Sequence, residues 1–197
     1  MSSENIETRT RILQATVQML EGGGGRGVRM GDIAAAAGIS RQAVYLHFAS
    51  RTELLVAATK YLDEVLGSDH RLAPSRAATS GVKRLELYIE SWGRYIPQIY
   101  NVAKGLMLAQ DTDEAAAAAW KDRMLAMRDG CRAAVEALHA DGSLASEWTP
   151  RRATDALWTM LLVPNWENLT IECGWSTQQY IRWMKTLAKR TFVEESE

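Results

Sequence analysis

The sequence contains little that would stabilise a secreted or membrane-embedded protein. Only two cysteines, Cys131 and Cys173, occur in 197 residues, and they are too far apart for a CxxC motif. This excludes a disulfide-stabilised scaffold and indicates a reducing compartment, the cytoplasm. The first residues show no charged segment followed by an apolar one, so we expect no secretory signal. No apolar run approaches the roughly 18 residues that would cross a bilayer.

Neither sign of charge dominates the sequence. It has 23 Lys and Arg residues against 24 Asp and Glu, a net charge of -1, and 47% of its residues are hydrophobic. This balance excludes a uniformly basic nucleic-acid coat, a polybasic membrane binder and the composition of a disordered chain. Residues 1–52, however, carry six arginines and four acidic residues, while the remainder carries 17 basic and 20 acidic residues. The average therefore conceals a mildly basic amino-terminal part attached to an acidic remainder.

Strand patterns are also missing, because Val, Ile, Thr and Tyr nowhere alternate with polar residues between turn signals. Apolar residues recur instead at helical spacing, which predicts an all-α fold of about nine helices. Residues 67–81 are polar and contain Pro74, so we expect a linker there. Pro164 should bend the helix that contains it. The predicted helices cover residues 4–21, 30–37, 41–48, 53–66, 82–95, 97–109, 113–139, 150–173 and 177–193.

Two short predicted helices, joined by Gly38-Ile39-Ser40, have the spacing of a helix-turn-helix. Ser40 can cap the second helix, which then presents its polar side chains to solvent. Gln can pair with adenine, Arg with guanine, and Tyr and His with phosphate oxygens. From spacing alone, a surface helical hairpin without a ligand is an equally good interpretation. The residues expected to pack the two helices together are Ile33, Ala34, Ala37, Ile39, Val44 and Phe48.

Four submotifs strengthen the DNA-binding interpretation: Asp32-Ile-Ala34, Ala37-Gly-Ile-Ser40, Val44-Tyr-Leu-His-Phe48 and Ser50-Arg-Thr-Glu-Leu54. In order and spacing they resemble the amino-terminal domain of the TetR/AcrR family of transcriptional regulators, over about residues 8–60. The resemblance implies a DNA-binding domain at residues 1–52, a connecting helix at 53–66, and a ligand-binding and dimerisation domain at 67–197. It also implies a homodimer formed through the last two helices, and DNA contacts from Ser40, Arg41, Gln42, Tyr45, His47 and Arg51. Arg29 departs from the family pattern, and we add it to the candidate DNA contacts because its guanidinium can reach a phosphate.

Large apolar residues concentrate in the second part of the chain, where all seven tryptophans lie at or beyond Trp92. The family resemblance implies a cavity among these helices, and Trp suits an aromatic or hydrophobic ligand held by few polar contacts. Ordinary core packing is the alternative for each residue. On the last helix, Tyr180, Trp183, Met184 and Leu187 form a stripe that we assign to the dimer interface. The candidate ligand-binding residues are Trp92, Tyr95, Met107, Trp120, Met124, Met127, Trp158, Leu162 and Trp166.

Other motifs indicate no cofactor, metal or catalysis. Gly22-x-Gly24-x-x-Gly27 matches a dinucleotide fingerprint, but it follows a helical pattern instead of a strand, which favours a flexible loop. The three histidines are widely separated and have no cysteine partners at metal-ligand spacing. Both cysteines are interpreted as small buried hydrophobes, with redox sensing as the alternative. No nucleophile and base occur at a recognisable spacing, so we predict no enzymatic activity.

Together these features predict a cytoplasmic, homodimeric transcriptional regulator that binds double-stranded DNA. We expect a repressor that a small hydrophobic or aromatic effector releases from a palindromic operator. The alternative is a dimeric, DNA-anchored interaction or chromosome-organising protein that has no small-molecule effector.

Overall fold

A computed structural model describes residues 3–22 and 29–194, which form ten helices and no strand. The fold is all-α, as predicted. Of the glycine-rich segment, residues 23–28 lie outside the described part of the chain. Within that part, no helix has the length and apolar character needed to cross a bilayer. The helices are α1 (Ser3–Gly22), α2 (Met30–Ala36), α3 (Arg41–His47), α4 (Arg51–Val65), α5 (Ser68–Arg76), α6 (Gly81–Ala109), α7 (Glu114–Ala140), α8 (Pro150–Met160), α9 (Val163–Glu167) and α10 (Thr177–Phe192).

The helices divide into two compact units. The first contains residues up to Gly67 together with residues 98–122, and the second contains residues 68–97 and 123–197. Residues 98–122, which the sequence-based division placed in the carboxy-terminal domain, therefore pack with the first unit. Their apolar side chains Val102, Leu106 and Ala116 join its core. Helices α6 and α7 each contribute residues to both units.

Residues 68–76 form a helix, α5, so the prediction of a linker over 67–81 was wrong. Pro74 lacks the N–H that would continue the helical ladder, but two side-chain contacts hold the segment against α6. The Ser75 hydroxyl donates to the Arg84 carbonyl at 3.0 Å, and the Ser91 hydroxyl donates to the Arg71 carbonyl at 3.2 Å. Such contacts between elements leave no local pattern in the sequence.

Two predicted helix boundaries were wrong because each of two prolines acts differently from our expectation. Pro97 lies inside α6, which continues from Gly81 to Ala109 where we predicted two helices. Pro164 lies in the first turn of a new helix, α9, so residues 150–173 do not form one bent helix. Asn165 supports this break, because its side-chain amide donates to the Thr159 carbonyl at 2.7 Å at the end of α8. A π-helical turn, Asn168–Glu172, then follows α9.

The apolar stripe predicted on α10 is only partly exposed. Tyr180 and Met184 are buried in the second unit and Leu187 is half-buried, so they cannot form an exposed dimer surface together. Trp183 alone of the four has an exposed side chain, and its ring meets that of Trp175 edge to face, with centroids 6.2 Å apart. Periodicity identifies the stripe but does not show which neighbour covers it.

The two cysteines differ in burial, which corrects the prediction that both are buried. Cys131 is fully buried, whereas Cys173 is exposed after the π-helical turn. Burial also raises the pKa of the Cys131 thiol to about 12. Since the thiolate is the reactive form, we expect iodoacetamide to alkylate Cys173 in the native protein and Cys131 only after denaturation. Mass spectrometry of tryptic peptides measures this, and native alkylation of Cys131 would contradict the packing described.

Candidate nucleic-acid interface

The turn between α2 and α3 is built from local signals. Gly38 follows α2 with φ at +66°, a left-handed conformation that glycine adopts without steric cost. The Ile39 N–H donates to the Ala34 carbonyl at 3.0 Å, which closes the end of α2. The Ser40 hydroxyl then accepts from the Ala43 N–H at 3.1 Å and caps α3, as predicted. The direction of α3 is therefore set by three consecutive residues.

The predicted packing between α2 and α3 is confirmed. Ile33, Ala34 and Ala37 are buried on the α2 side, and Val44 and Phe48 are fully buried on the α3 side. Ile39, in the turn, is half-buried and packs against the same core. The Arg9 guanidinium lies 4.6 Å from the centroid of the Phe48 ring, so α1 covers the end of α3 as well.

The opposite face of α3 is exposed and carries two rows of side chains. Arg41 and Tyr45 form one row, with the guanidinium 5.6 Å from the tyrosine ring centroid. A hydrogen bond with Tyr45 raises the pKa of Arg41. Gln42 and Leu46 form the second row, and Leu46 is 83% exposed. The two residues of each row are neighbours because they are one helical turn apart. All four side chains are exposed, so they are available to a partner.

The remaining predicted DNA contacts lie at the ends of helices. Arg29 is exposed at the start of α2, which has no side-chain cap. His47, in the last turn of α3, and Arg51, at the start of α4, are both half-buried. Ser40 is exposed, but its hydroxyl already bonds the Ala43 N–H.

The start of α4 is fixed on both sides. The Ser50 hydroxyl accepts from the Glu53 N–H at 3.1 Å, which is one of the two bonds of a capping box. The Glu53 carboxylate accepts from the Ala49 N–H at 2.7 Å, and Ala49 is one residue before the Ser50 N–H that a capping box would use. The Thr52 hydroxyl donates to the Asp113 carboxylate at 2.5 Å, and this bond lowers the pKa of Asp113. The backbone that carries Arg51 is therefore held in place.

The candidate ligand-binding residues divide between the two units. Met107 and Trp120 belong to the first, where Trp120 is half-buried against the core. The others belong to the second. Among them, Trp158, Leu162 and Trp166 do not lie on one helix, because α8 ends before Leu162. The buried members of the second unit are Trp92, Tyr95, Met127 and Trp166, and the half-buried ones are Met124, Trp158 and Leu162.

The second unit contains a polar feature that sequence reasoning missed. Tyr88, Trp92 and Tyr95 are buried on one face of α6, at positions i, i+4 and i+7. The Arg71 guanidinium, from α5, lies 3.4 Å from the centroid of the Tyr95 ring. The spacing on α6 was readable from the sequence. Arg71 was not identifiable, because its helix was predicted to be a linker.

Tyr88 has its hydrogen-bonding groups satisfied. Its hydroxyl donates to the Met127 carbonyl at 2.8 Å and lies 3.7 Å from the Cys131 thiol. Burial raises the pKa of Tyr88 well above its ordinary value, and the nearby Arg71 opposes that rise. Gly130 makes this arrangement possible, because a Cβ there would lie 2.5 Å from the Tyr88 hydroxyl.

Tyr180 and Trp92 are buried aromatic residues, and each side chain carries one polar group. The Tyr180 hydroxyl and the Trp92 indole N–H have no hydrogen-bond partner. The two groups lie near each other, and the indole slightly opposes the increase that burial causes in the pKa of Tyr180, but they do not meet hydrogen-bond geometry. Among the described residues, no group of His, Cys, Asp and Glu is arranged to hold a metal ion.

Residues 12–58 match the sequence profile described as bacterial regulatory proteins, tetR family. Nucleoid occlusion factor SlmA of Marinomonas sp. (strain MWYL1) is 35% identical over 66 residues, which are 34% of this chain and 34% of that protein. The HTH-type transcriptional regulator CymR of Pseudomonas putida is 26% identical over 110 residues, 56% of this chain and 54% of that protein. The matches thus span about a third and about half of these relatives.

Solved structures share the fold over nearly the whole chain. A protein from Saccharomonospora viridis, described as a transcriptional regulator in complex with choline, has a TM-score of 0.82 at 18% identity. The alignment covers 96% of this chain and 99% of that one. A TetR transcriptional regulator from Chloroflexus aurantiacus has a TM-score of 0.76 at 18% identity, covering 98% and 100% of the two chains.

Proposed function

We propose, from the premise that this chain belongs to the TetR family of bacterial regulatory proteins, that it represses transcription by binding a palindromic operator as a homodimer. In this proposal α3 of each subunit enters a major groove. A small molecule bound in the second unit releases the protein from DNA.

One observation carries the proposal: α3 is anchored through a buried face and exposes a complete opposite face. Val44 and Phe48 fix the helix, while Arg41, Gln42 and Tyr45 remain exposed. A recognition helix needs this division, because base edges in the major groove are read by side chains that project from a rigid support. The family match at residues 12–58 includes both faces.

Effector binding is supported by the apolar, aromatic character of the second unit and by the choline complex of a structural neighbour. A ligand can change DNA affinity only if it binds two conformations of the protein differently. Helices α6 and α7 carry predicted ligand-binding residues in the second unit, and their residues Val102, Leu106 and Ala116 belong to the core of the first unit, which contains α2 and α3. We propose that the effector acts through these helices.

The palindromic operator follows from the proposed homodimer, because two-fold symmetry of the protein requires two inverted half-sites. Helix α10 supplies an exposed apolar side chain in Trp183, whose ring meets that of Trp175 edge to face. We propose that this surface forms part of the dimer interface.

Replacement of Gln42 by alanine should reduce specificity at one position of each half-site by about 1–3 kcal/mol if its amide pairs with a base edge. Arg51→Ala should instead weaken binding to all sequences and lower the salt slope of log K by about one, because it removes one phosphate contact. Fluorescence anisotropy with selected DNA at several salt concentrations measures both effects. Unchanged affinity of both variants would reject the assignment of the reading helix.

The alternative function, DNA anchoring without an effector, predicts a different response to ligands. An effector stabilises the folded protein by mass action and raises its melting temperature. It should also release the DNA, whereas a DNA-anchored interaction protein would remain bound in the presence of any stabilising compound. Thermal shift and anisotropy on one preparation therefore separate the two functions.

A further inference from the structure

We propose that Arg71 binds the carboxylate of an effector whose hydrophobic body packs against Trp92 and Tyr95. This inference rests on the proposed effector function and names the chemical class of the ligand. Arg71 belongs to α5, and the two aromatic residues belong to the facing side of α6.

The first argument is the charge of Arg71. Its Nη1 atom is buried and has no hydrogen-bond partner. Among the described residues, no carboxylate lies within salt-bridge distance of this guanidinium, while Asp69 on the same helix pairs with Arg76 at 2.8 Å. Arg71 is half-buried, and its stacking on the Tyr95 ring leaves the buried Nη1 without a hydrogen-bond acceptor or an anionic partner, which is unfavourable for a cation that has lost part of its hydration. An anionic ligand would supply the missing partner.

The second argument is the number of polar groups left unsatisfied nearby. The Trp92 indole N–H and the Tyr180 hydroxyl are both buried without partners. Tyr95 lies between these groups and Arg71. The Trp92 and Tyr95 ring centroids are 6.2 Å apart, and the Arg71 guanidinium stacks on the Tyr95 ring. Guanidinium and indole N–H groups are donors only, and the hydroxyl can donate. A carboxylate only accepts hydrogen bonds, so it can pair with a donor of this kind.

The third argument is the stacking of Arg71 itself. An aromatic wall could attract a cationic ligand through its ring faces. Here the face of Tyr95 is already covered by a guanidinium at 3.4 Å. A second cation at this place would be repelled, so the arrangement favours an anion over a quaternary ammonium ion.

The test compares matched ligands on the full-length protein. Butanoate, octanoate and 3-phenylpropanoate are titrated beside their primary amides, together with 3-phenylpropyltrimethylammonium, by isothermal calorimetry. We expect at least one carboxylate to bind and its amide to bind about 10- to 100-fold more weakly, since a hydrogen bond to a charged group is lost. We expect no binding of the ammonium compound.

Substitutions test whether Arg71 is responsible for the preference for a carboxylate over its amide. Arg71→Gln should abolish the preference for carboxylate over amide, Arg71→Lys should retain it, and Tyr180→Phe should weaken carboxylate binding without reversing it. Arg76→Gln is the matched control, because this arginine is exposed on the same helix and should leave the preference unchanged. Circular dichroism checks that each variant is folded, and Arg71→Lys and Tyr180→Phe keep the test valid if Arg71→Gln does not fold.

Three results would overturn the proposal: no carboxylate outbinds its amide, Arg71→Gln keeps the preference, or Arg76→Gln loses it to the same degree. Failure of the proposed function would give a different set of results in the ligand-binding and DNA-binding measurements. In that case the carboxylate preference would be present, but the protein would not bind DNA or would not release it.

A separate observation, the 83% exposure of Leu46, concerns DNA recognition. Leu46 follows Gln42 by one helical turn on the exposed face of α3. We infer that Leu46 contacts the C5-methyl group of a thymine next to the base that Gln42 reads. This inference also rests on the proposed function. Thymine is the one base with an apolar group in the major groove, and a leucine side chain cannot hydrogen-bond a base or a phosphate.

Uracil substitution tests the thymine contact, because it removes only the methyl group. Replacing each dT of the selected half-site by dU should weaken wild-type binding about fourfold at one position. Leu46→Ala should bind the dT and dU forms equally. The inference is overturned if no dU position affects the wild type, if Leu46→Ala keeps the sensitivity, or if the half-site has no thymine. If the wild-type protein bound no DNA at all, that result would instead reject the proposed function.

Discussion

Replacement of Phe48 by alanine is expected to lower the free energy of unfolding by about 3–5 kcal/mol. The Phe48 side chain is fully buried at the end of α3, between the Arg9 guanidinium and the core of the first unit. Alanine would leave a cavity that Val44 and Ile33 cannot fill, since both are already packed. Urea denaturation followed by circular dichroism measures the loss.

Leu46→Ala is the matched control for Phe48, because it truncates a large apolar residue of α3 only two positions before Phe48. Leu46 is exposed, so we expect its truncation to change stability by no more than about 0.5 kcal/mol. Equal destabilisation by the two variants would contradict the orientation of α3. That orientation underlies the proposed recognition surface.

Gly81→Ala is expected to destabilise the second unit by about 3 kcal/mol, the upper part of the range for overpacking. A Cβ on Gly81 would lie 2.5 Å from the backbone N and Cα of Leu138, and backbone atoms of α7 cannot move aside as a flexible side chain can. The substitution would also disturb the bond at 2.5 Å between the Gly81 N–H and the Asp141 carboxylate. Thermal denaturation measures the effect.

Gly31→Ala provides the comparison for Gly81. Gly31 lies inside α2, and a Cβ there would meet no heavy atom within 4 Å. Because alanine favours a helix over glycine, this variant should gain about 0.5–1 kcal/mol. Destabilisation by Gly31→Ala, or tolerance of Gly81→Ala, would contradict the packing of the respective helix.

The elements that the sequence predicted correctly are those with local signals. Gly38 and Ser40 end α2 and begin α3 through hydrogen bonds within a few residues. Thr149 caps α8 and is followed by Pro150 in the first turn, so the start of the helix predicted from residue 150 has a local signal of the same kind. In each case the residue type and the backbone bond that it makes lie within one turn of helix, so a pattern of neighbours is sufficient.

The elements that the sequence did not predict depend on distant partners. Helix α5 contains Pro74 and is held by bonds to residues of α6, which no local window includes. The burial of Tyr180 depends on its packing against α6, where a Cβ on Gly93 would lie 3.5 Å from its ring. The same limit applies to the proposed ligand site, because the relation of Arg71 to Tyr95 joins two helices and one of them was not foreseen.

The central claim, that α3 reads DNA as part of a symmetric dimer, is tested most directly by sequencing genomic fragments selected by the purified full-length protein and by its Gln42→Ala variant. The wild type should enrich an inverted repeat whose half-sites are separated by about one helical turn or a multiple of it. The variant should enrich the same repeat with reduced preference at one symmetric pair of positions. Enrichment of DNA without an inverted repeat, or identical preferences for the two proteins, would contradict the account.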